Sequence, residues 1–334
     1  MAEIVSAEPE RPADSRSRLL SLGETLIDLI VADGADSLQT ASEFSARMGG
    51  APANVAVALA RLGAASAFCG VVGADPFGAK LRAGLAANGV DVSRLRSADE
   101  KPTSLAFAWK DDRGDGHFWL LRAADALLSP DDAERAGIPA LAAIVVGSVA
   151  LSDEPSRWAI ERAVEIAADS GVPVCFDVNL RPTLWRSLAD ARAACRPILA
   201  RTTLLKLSLD DARGMLDPDA APDSAVTRLL ADTPAALVVL TDGERGCWYA
   251  TRQSPAVRHI SALPVDAIEP TGAGDAFTAA LLVRLLGRDW HGANDADLRY
   301  ASAAGALATT KAGAWEGLPA RAELDAFVAQ SGAV

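Results

Sequence analysis

The chain has 334 residues, half of them hydrophobic, with a formal net charge of −12 and an isoelectric point near 4.8. That acidic balance leaves no basic excess to neutralise a nucleic-acid backbone, so a nucleic-acid partner is not expected. The longest apolar segment, Ile138 to Leu151, is interrupted by Pro139, Gly147 and Ser148, short of the ~20 residues a membrane span needs.

Residues 1–17 are polar, contain proline and lack the apolar core of a signal peptide, so they read as a disordered tail. From there short β-branched runs alternate with longer Ala/Leu/Arg segments. Leu19 to Leu29 reads as a strand, Asn54 to Leu62 as a helix closed by Gly63, Ala67 to Val72 as a strand and Ala79 to Ala87 as a helix. Buried strands are predicted at Ala143 to Val146, Val174 to Asp177, Leu204 to Leu207 and Ala236 to Thr241, with helical stretches such as Pro155 to Ala168 between them. Continuous apolar strands separated by helices indicate a parallel sheet covered on both faces. Two segments break this rhythm, Leu29 to Met48 and Thr103 to Arg122. Each reads as a strand pair, the second turning through Asp111 to Gly116. Together they suit a small separate sheet that closes over a cleft. Cys69, Cys175, Cys195 and Cys247 lie in or beside apolar segments without CxxC spacing. They are expected as free buried thiols in a reducing cytoplasm, with neither zinc nor disulfides.

The chemistry is concentrated in Glu269-Pro270-Thr271-Gly272-Ala273-Gly274-Asp275-Ala276-Phe277, which opens an Ala/Leu-rich run to Leu286. Helix starts leave backbone N–H groups unpaired and carry the positive end of the dipole, which seats anions such as phosphate. Gly272 and Gly274 let backbone come close to such a group, and Asp275 can act as a base beside it. The alternative is a tight turn with Asp275 as a helix cap. Gly49-Gly50-Ala51-Pro52-Ala53-Asn54 has the same double reading, a capped turn or a backbone approach to a polar ligand with Asn54 bonding its hydroxyls. Asp28 stands in an apolar strand, where a carboxylate is costly unless paired, so a hydroxyl-rich ligand suits it. Polar strand ends follow at Asp177, Asn179 and Arg181, at Lys206 and Ser208, and at Thr241 and Gly243. The C-terminal ends of parallel strands are where such sheets bind ligands. The P-loop-like Gly73 to Lys80 lacks the Lys-Ser/Thr after its second glycine, and no dinucleotide fingerprint is present.

In this order the pieces resemble the ribokinase-like (PfkB-type) carbohydrate kinases, from about Leu19 to Pro319. Gly49 to Gly73 and Glu269 to Phe277 match the two family signatures. Gly23 to Asp28, Gly50 to Ala56, Asp177 to Trp185 and Ala303 to Ala314 are similar to segments of bacterial and plant-type fructokinases. The resemblance implies an α/β/α sandwich, one kinase domain over 18–330, with a small β-sheet lid. It implies ATP-dependent phosphorylation of a sugar, fructose first, with Mg²⁺. Asp275 would be the base and the N–H groups of Gly272, Ala273 and Gly274 the anion hole. Asp28, Gly49, Gly50 and Asn54 would hold the sugar, joined by Arg122 at the end of a lid strand. Asp177, Asn179 and Arg181 would lie near the transferred phosphate. Lys206, Ser208, Thr241, Gly243 and Gly246 would line the nucleotide, with Ser302 near the adenine. Asp211, one methylene shorter than the family's Glu, would reach Mg²⁺ through water. Glu269, in place of the family's Asp, and Thr271 would offer a K⁺ site.

The alternatives differ in substrate or class. A 2-keto-3-deoxygluconate kinase shares the Asp-x-Asn-x-Arg and lid-arginine features but calls for extra Arg or Tyr in the lid, and Tyr249 and Tyr300 are far from it. A ribose or nucleoside kinase, a catalytically silent sugar-responsive regulator and a nicotinamide-dependent dehydrogenase complete the set. A lid with an exposed apolar face leads to the expectation of a homodimer.

Overall fold

A computed structural model describes residues 17–112, 116–286, 288, 290 and 292–331. The expected tail, apart from Ser17, and positions 113–115 of the expected hairpin turn lie outside the described residues. In chain order the elements are β1 (Arg18–Leu22), β2 (Leu26–Val31), β3 (Phe44–Gly49), α1 (Ala51–Arg61), β4 (Ala65–Gly73), α2 (Pro76–Ala87), β5 (Asp91–Ala98), β6 (Leu105–Lys110) and β7 (Gly116–Leu121). Then come α3 (Pro130–Arg135), β8 (Ala143–Gly147), α4 (Ser156–Asp169), β9 (Val174–Asp177), α5 (Leu188–Leu199), β10 (Leu204–Ser208), α6 (Leu209–Met215) and α7 (Pro222–Asp232). The last are β11 (Leu237–Thr241), β12 (Cys247–Thr251), β13 (Arg258–Ile260), α8 (Ala273–Leu286), α9 (Asp295–Ala308), α10 (Ala314–Gly317) and α11 (Arg321–Ser331).

The large sheet runs β13-β12-β11-β10-β9-β8-β1-β4-β5. From β5 to β11 every neighbouring pair is parallel, and β12 and β13 add antiparallel strands at one edge. Its strands are apolar on both faces because both are covered. Leu20 and Leu22 pack with Ile160, Val164 and Ile198 from α4 and α5 on one side. Leu19 packs with Val55, Leu59, Leu281 and Leu298 from α1, α8 and α9 on the other. This is the expected three-layer α/β/α sandwich.

The small sheet has the order β3-β2-β6-β7, antiparallel except for the β2–β6 pair. It supplies the expected lid. One expectation fails here: Leu19 to Leu29 is not a single strand. Gly23, at φ +145°, breaks it, so Leu22 ends in the large sheet and Leu26 begins in the small one. An Ala at 23 would put its Cβ 2.7 Å from the Pro52 ring. The break carries the chain from one sheet to the other and sets Glu24 between them. Among the described residues no helix is long and apolar enough to cross a membrane.

Candidate active site

The parallel strands end at one cavity of about 630 Å³. Glu24 follows β1, Val149 follows β8, Asn179 follows β9, Ser208 ends β10 and Thr241 ends β11, and all five line it. This is the side of a parallel sheet where ligands are bound. The lid covers one side with alternate residues of its strands, Leu26 and Asp28 from β2 and Phe118 and Leu120 from β7. Alternation follows from the two-residue period of a strand.

Two helix starts face each other across the floor. Gly50 precedes α1 at φ +101°, and a Cβ there would lie 2.6 Å from the Glu24 carbonyl oxygen, so the close passage of the two segments requires glycine. Asn54 therefore sits one turn inside the helix rather than at its cap. Its Nδ2 donates to Asp275 Oδ2 at 2.7 Å, and its Oδ1 accepts from Trp315 Nε1 at 2.8 Å. Indole can only donate, so Trp315 fixes the amide with its NH₂ toward Asp275. Asp275, in the first turn of α8, is bonded across the cavity floor to Asn54, which sets aside the simple cap reading.

Behind Asp275, Asp177 accepts from Lys206 Nζ at 3.0 and 3.1 Å and from Thr278 Oγ1 at 2.8 Å. Thr278 Oγ1 also lies 3.0 Å from Gly274 O, so the end of β9 is tied to the first turn of α8. Ser208 and Asp211 form a capping box at the start of α6, with Ser208 Oγ donating to Asp211 Oδ2 at 2.7 Å. The other oxygen, Asp211 Oδ1, accepts from Leu180 N at 2.7 Å. Gly272 has φ +84°, and a Cβ there would be 3.1 Å from Ala314 O. The Arg181 guanidinium lies 5.9 Å from the Phe118 ring centre, linking core to lid over the cavity.

The electrostatics are those of a sheltered acidic site. Burial pushes the Asp275 carboxyl up to about 6, with the Asp177 charge adding to it and the Asn54 bond and Lys206 opposing. Burial, then the Glu269 charge, raises Asp28 to about 7. Burial raises Glu24 to about 8. Burial opposes the Lys206 ammonium, but Asp177 beside it, with Asp275, holds its pKa above the ordinary lysine value. A carboxylate near 6 is half-titrated close to working pH, which suits a general base.

Of the residues expected at the sugar, Asp28, Gly50 and Asn54 line the cavity, as do Asp177, Asn179 and Arg181. Lys206, Ser208, Asp211, Thr241, Thr271, Gly272, Gly274 and Asp275 line it too. The rest are placed elsewhere. Arg122 is not among the cavity-lining residues: its guanidinium pairs with Asp125 at 2.6 Å and Asp153 at 2.9 Å and donates to Val149 O at 3.0 Å. A buried guanidinium needs such partners, and here a buried aspartate, a half-exposed one and the backbone of a cavity-lining residue take it up. Gly49 acts through Asp28, since a Cβ there would lie 2.1 Å from Asp28 Oδ2. The Ala273 amide is spent in the turn on Pro270 O at 3.1 Å, so Gly272 and Gly274 are the glycine-turn residues that face the cavity. Gly243 and Gly246 shape the turn from β11 to β12. Gly246, at φ +90°, lies where a Cβ would be 2.0 Å from Ile260 O. Ser302 lies 3.7 Å from Cys247 Sγ, outside the cavity wall. Glu269 accepts from Gly313 N at 3.0 Å, joining the two loops beside α8. Sequence reasoning missed Glu24, Phe118 and Leu120.

Comparison with known proteins adds the family. The pfkB family carbohydrate kinase model matches residues 16–321. Fructokinase-1 of Zea mays is 37% identical over 319 residues, covering 93% of this chain and 98% of its own. A crystal structure of fructokinase from Vibrio cholerae O395 in fructose-, ADP- and calcium-bound form has a TM-score of 0.80 and 34% identity over 94% of this chain and 99% of its own. Fructokinase from Xylella fastidiosa with bound ATP has a TM-score of 0.83 and 28% identity over 95% and 99%. The chain belongs to the pfkB family of carbohydrate kinases.

Proposed function

We propose that the protein is a fructokinase that transfers the γ-phosphoryl group of ATP to the 6-hydroxyl of fructose. The observation that carries this is the Asn54–Asp275 pair, a carboxylate held at the start of α8 between the lid-covered wall and the ends of β9, β10 and β11. The fructokinase relatives, matched over nearly their full length, support the choice of sugar.

In this reading fructose lies against Asp28, Gly50 and Asn54 under the lid, and the triphosphate extends past Arg181 toward Ser208 and Thr241. Asp275 takes the proton of the attacking hydroxyl as its oxygen bonds to the γ-phosphorus and the bond to the β–γ bridging oxygen breaks, releasing ADP. Backbone at Gly272 and Gly274 and the positive end of α8 stabilise the charge on the transferred group. Lys206 and Thr278 keep Asp177 in place beside it. The lid excludes water, which would otherwise accept the phosphoryl group.

Among the described residues no three acidic, histidine or cysteine side chains converge as a metal cluster. That fits Mg²⁺ carried mainly by the nucleotide phosphates, with Asp211 reaching it through water from the lone pairs its three hydrogen bonds leave. When bound, the ion neutralises phosphate charge. Glu269 and Thr271, beside α8, are the proposed K⁺ position. The outer lid face carries Trp119 and Leu121, 49% and 46% exposed, and pairing of two lids in a homodimer would cover them. Four free buried thiols fit a cytoplasmic setting.

The test is a coupled assay of ADP release over fructose, 2-keto-3-deoxygluconate, ribose, glucose and adenosine. Fructose should give the highest kcat/KM, and preference for another acceptor refutes the substrate. Sedimentation of the protein as a monomer at micromolar concentration refutes the lid dimer.

A further inference from the structure

Trp315 is not among the cavity-lining residues, yet its indole is bonded to the residue that is bonded to the base. It is 2% exposed and stands in α10. Gly313 leads into that helix at φ +97°, and Arg61 Nη1 donates to the carbonyl oxygens of Trp315 and Leu318. Gly84 on α2 leaves room for the ring, since a Cβ there would lie 2.8 Å from Trp315 Cζ3. With backbone and ring both held, the N–H is aimed at Asn54 Oδ1, 2.8 Å away.

An amide side chain can present either end to a neighbour. Asn54 presents its NH₂ to Asp275, at 2.7 Å, and a donor in that place favours the charged carboxylate. The reversed amide would present its oxygen, which suits a protonated carboxyl. Trp315 makes that reversal costly. Turning the amide would set its NH₂ against the indole N–H, leaving two buried donors without an acceptor. The charged groups toward Asp275 are Asp177 from β9, which opposes ionisation, and Lys206 from β10 and Arg181 after β9, which favour it. Asp28 on β2 is coupled to it by like charge. The effect of each of these follows from its charge, whereas that of Asn54 depends on which way its amide faces.

We propose that Trp315 is a positioning residue for phosphoryl transfer, whose indole N–H locks the Asn54 amide in the orientation that donates to Asp275 and so holds the base in the form that accepts a proton. The inference rests on Asp275 as the base of the sugar kinase and adds to it a residue outside the cavity. A buried indole needs an acceptor in any case, so a loss of stability alone would not distinguish positioning from packing.

The experiment compares wild type with Trp315→Phe, Trp315→Met, Leu318→Ala, Asn54→Ala and the Asn54→Ala/Trp315→Phe double variant. For the best acceptor in the sugar panel it measures kcat/KM from pH 5 to 9, KM for ATP and the thermal midpoint. Phe and Met each fill part of the ring's space, and neither donates. Both variants should move the acid limb up by about half to one pH unit, so that kcat/KM falls about threefold to tenfold near pH 5.5. Near pH 8.5 the ionised carboxylate itself turns the amide, so kcat/KM should stay within about threefold and KM for ATP within about twofold. Leu318→Ala, in the same buried cluster, should lower the midpoint and leave the limb within about 0.2 unit. In the Asn54→Ala background Trp315→Phe should add no shift, because the amide it acts through is gone. A limb that stays in place, one that moves equally in Leu318→Ala, or one that moves as far without Asn54 overturns the proposal. A wild-type profile without an acid limb near 6 removes Asp275 as the titrating base, and the proposal falls with it. A limb present in wild type and unmoved in the Trp315 variants overturns Trp315 alone.

Discussion

Replacing Asp275 with Asn should separate catalysis from stability in opposite directions. Asn keeps an oxygen to accept from Asn54 Nδ2, and Trp315 continues to hold that amide, so the local geometry survives. What disappears is the base and its buried charge. The carboxyl titrates near 6 in the fold against 3.8 outside it, so the folded state binds the proton more tightly. The stability from this preference is fully present below pH 3.8 and is lost as pH rises through about 6. That difference in proton affinity disfavours the ionised wild type at pH 8 by about 3 kcal/mol. Asp275→Asn should therefore be more stable than wild type at pH 8 by up to about 3 kcal/mol, with a gap that shrinks toward acid pH. Its turnover should fall by roughly 10²–10⁴ through loss of the general base. Denaturant unfolding at pH 5 and 8 reads the first effect, ADP release with saturating fructose and ATP reads the second, and nucleotide binding confirms the fold. Turnover within tenfold of wild type, or a variant less stable at pH 8, would refute the reasoning.

The pH profile of kcat/KM should show an acid limb near 6, since protonated Asp275 cannot accept a proton, and a profile flat down to pH 5 contradicts this. Lys206→Met leaves buried Asp177 with Thr278 as its remaining side-chain donor, and should cost about 3–5 kcal/mol in urea unfolding. Adding Asp177→Asn should recover part of that loss, and a single variant as stable as wild type would show the pair to be dispensable. Arg122→Leu leaves Asp125 buried without its cation and should cost a similar ~3–5 kcal/mol. The folded fraction should keep KM for fructose within about threefold, because the guanidinium is taken up by Asp125, Asp153 and Val149 O, and a tenfold rise would return Arg122 to the sugar site.

The layered fold was legible because a parallel sheet buried on both faces writes itself as apolar runs, and β8, β9, β10 and β11 begin or end within a residue or so of those runs. The phosphate end was legible for a related reason. Gly272, Gly274 and Asp275 lie together in sequence, so local backbone chemistry is enough to expose them. The sugar end is different, since its wall is assembled from β2, β7, α1 and the loop after β8, which only the fold brings together. The clearest failures sit at the crossing between the sheets. Apolar content alone could not show that Leu22 and Leu26 belong to different sheets, because the break is made by the φ of Gly23 and its contact with Pro52, a residue almost thirty positions on. Reading through that break hid Glu24. Arg122 is a different case: Asp125 and Asp153, which pair with it in the fold, stand 3 and 31 positions further along the chain. A lone arginine at a strand end looks available in sequence. Whether it is available depends on which carboxylates the fold delivers to it, and here the fold delivers two, buried Asp125 and half-exposed Asp153. With that guanidinium engaged, the residues by which the lid itself lines the cavity, Leu26, Asp28, Phe118 and Leu120, include no cation, which suits an uncharged sugar better than a sugar acid.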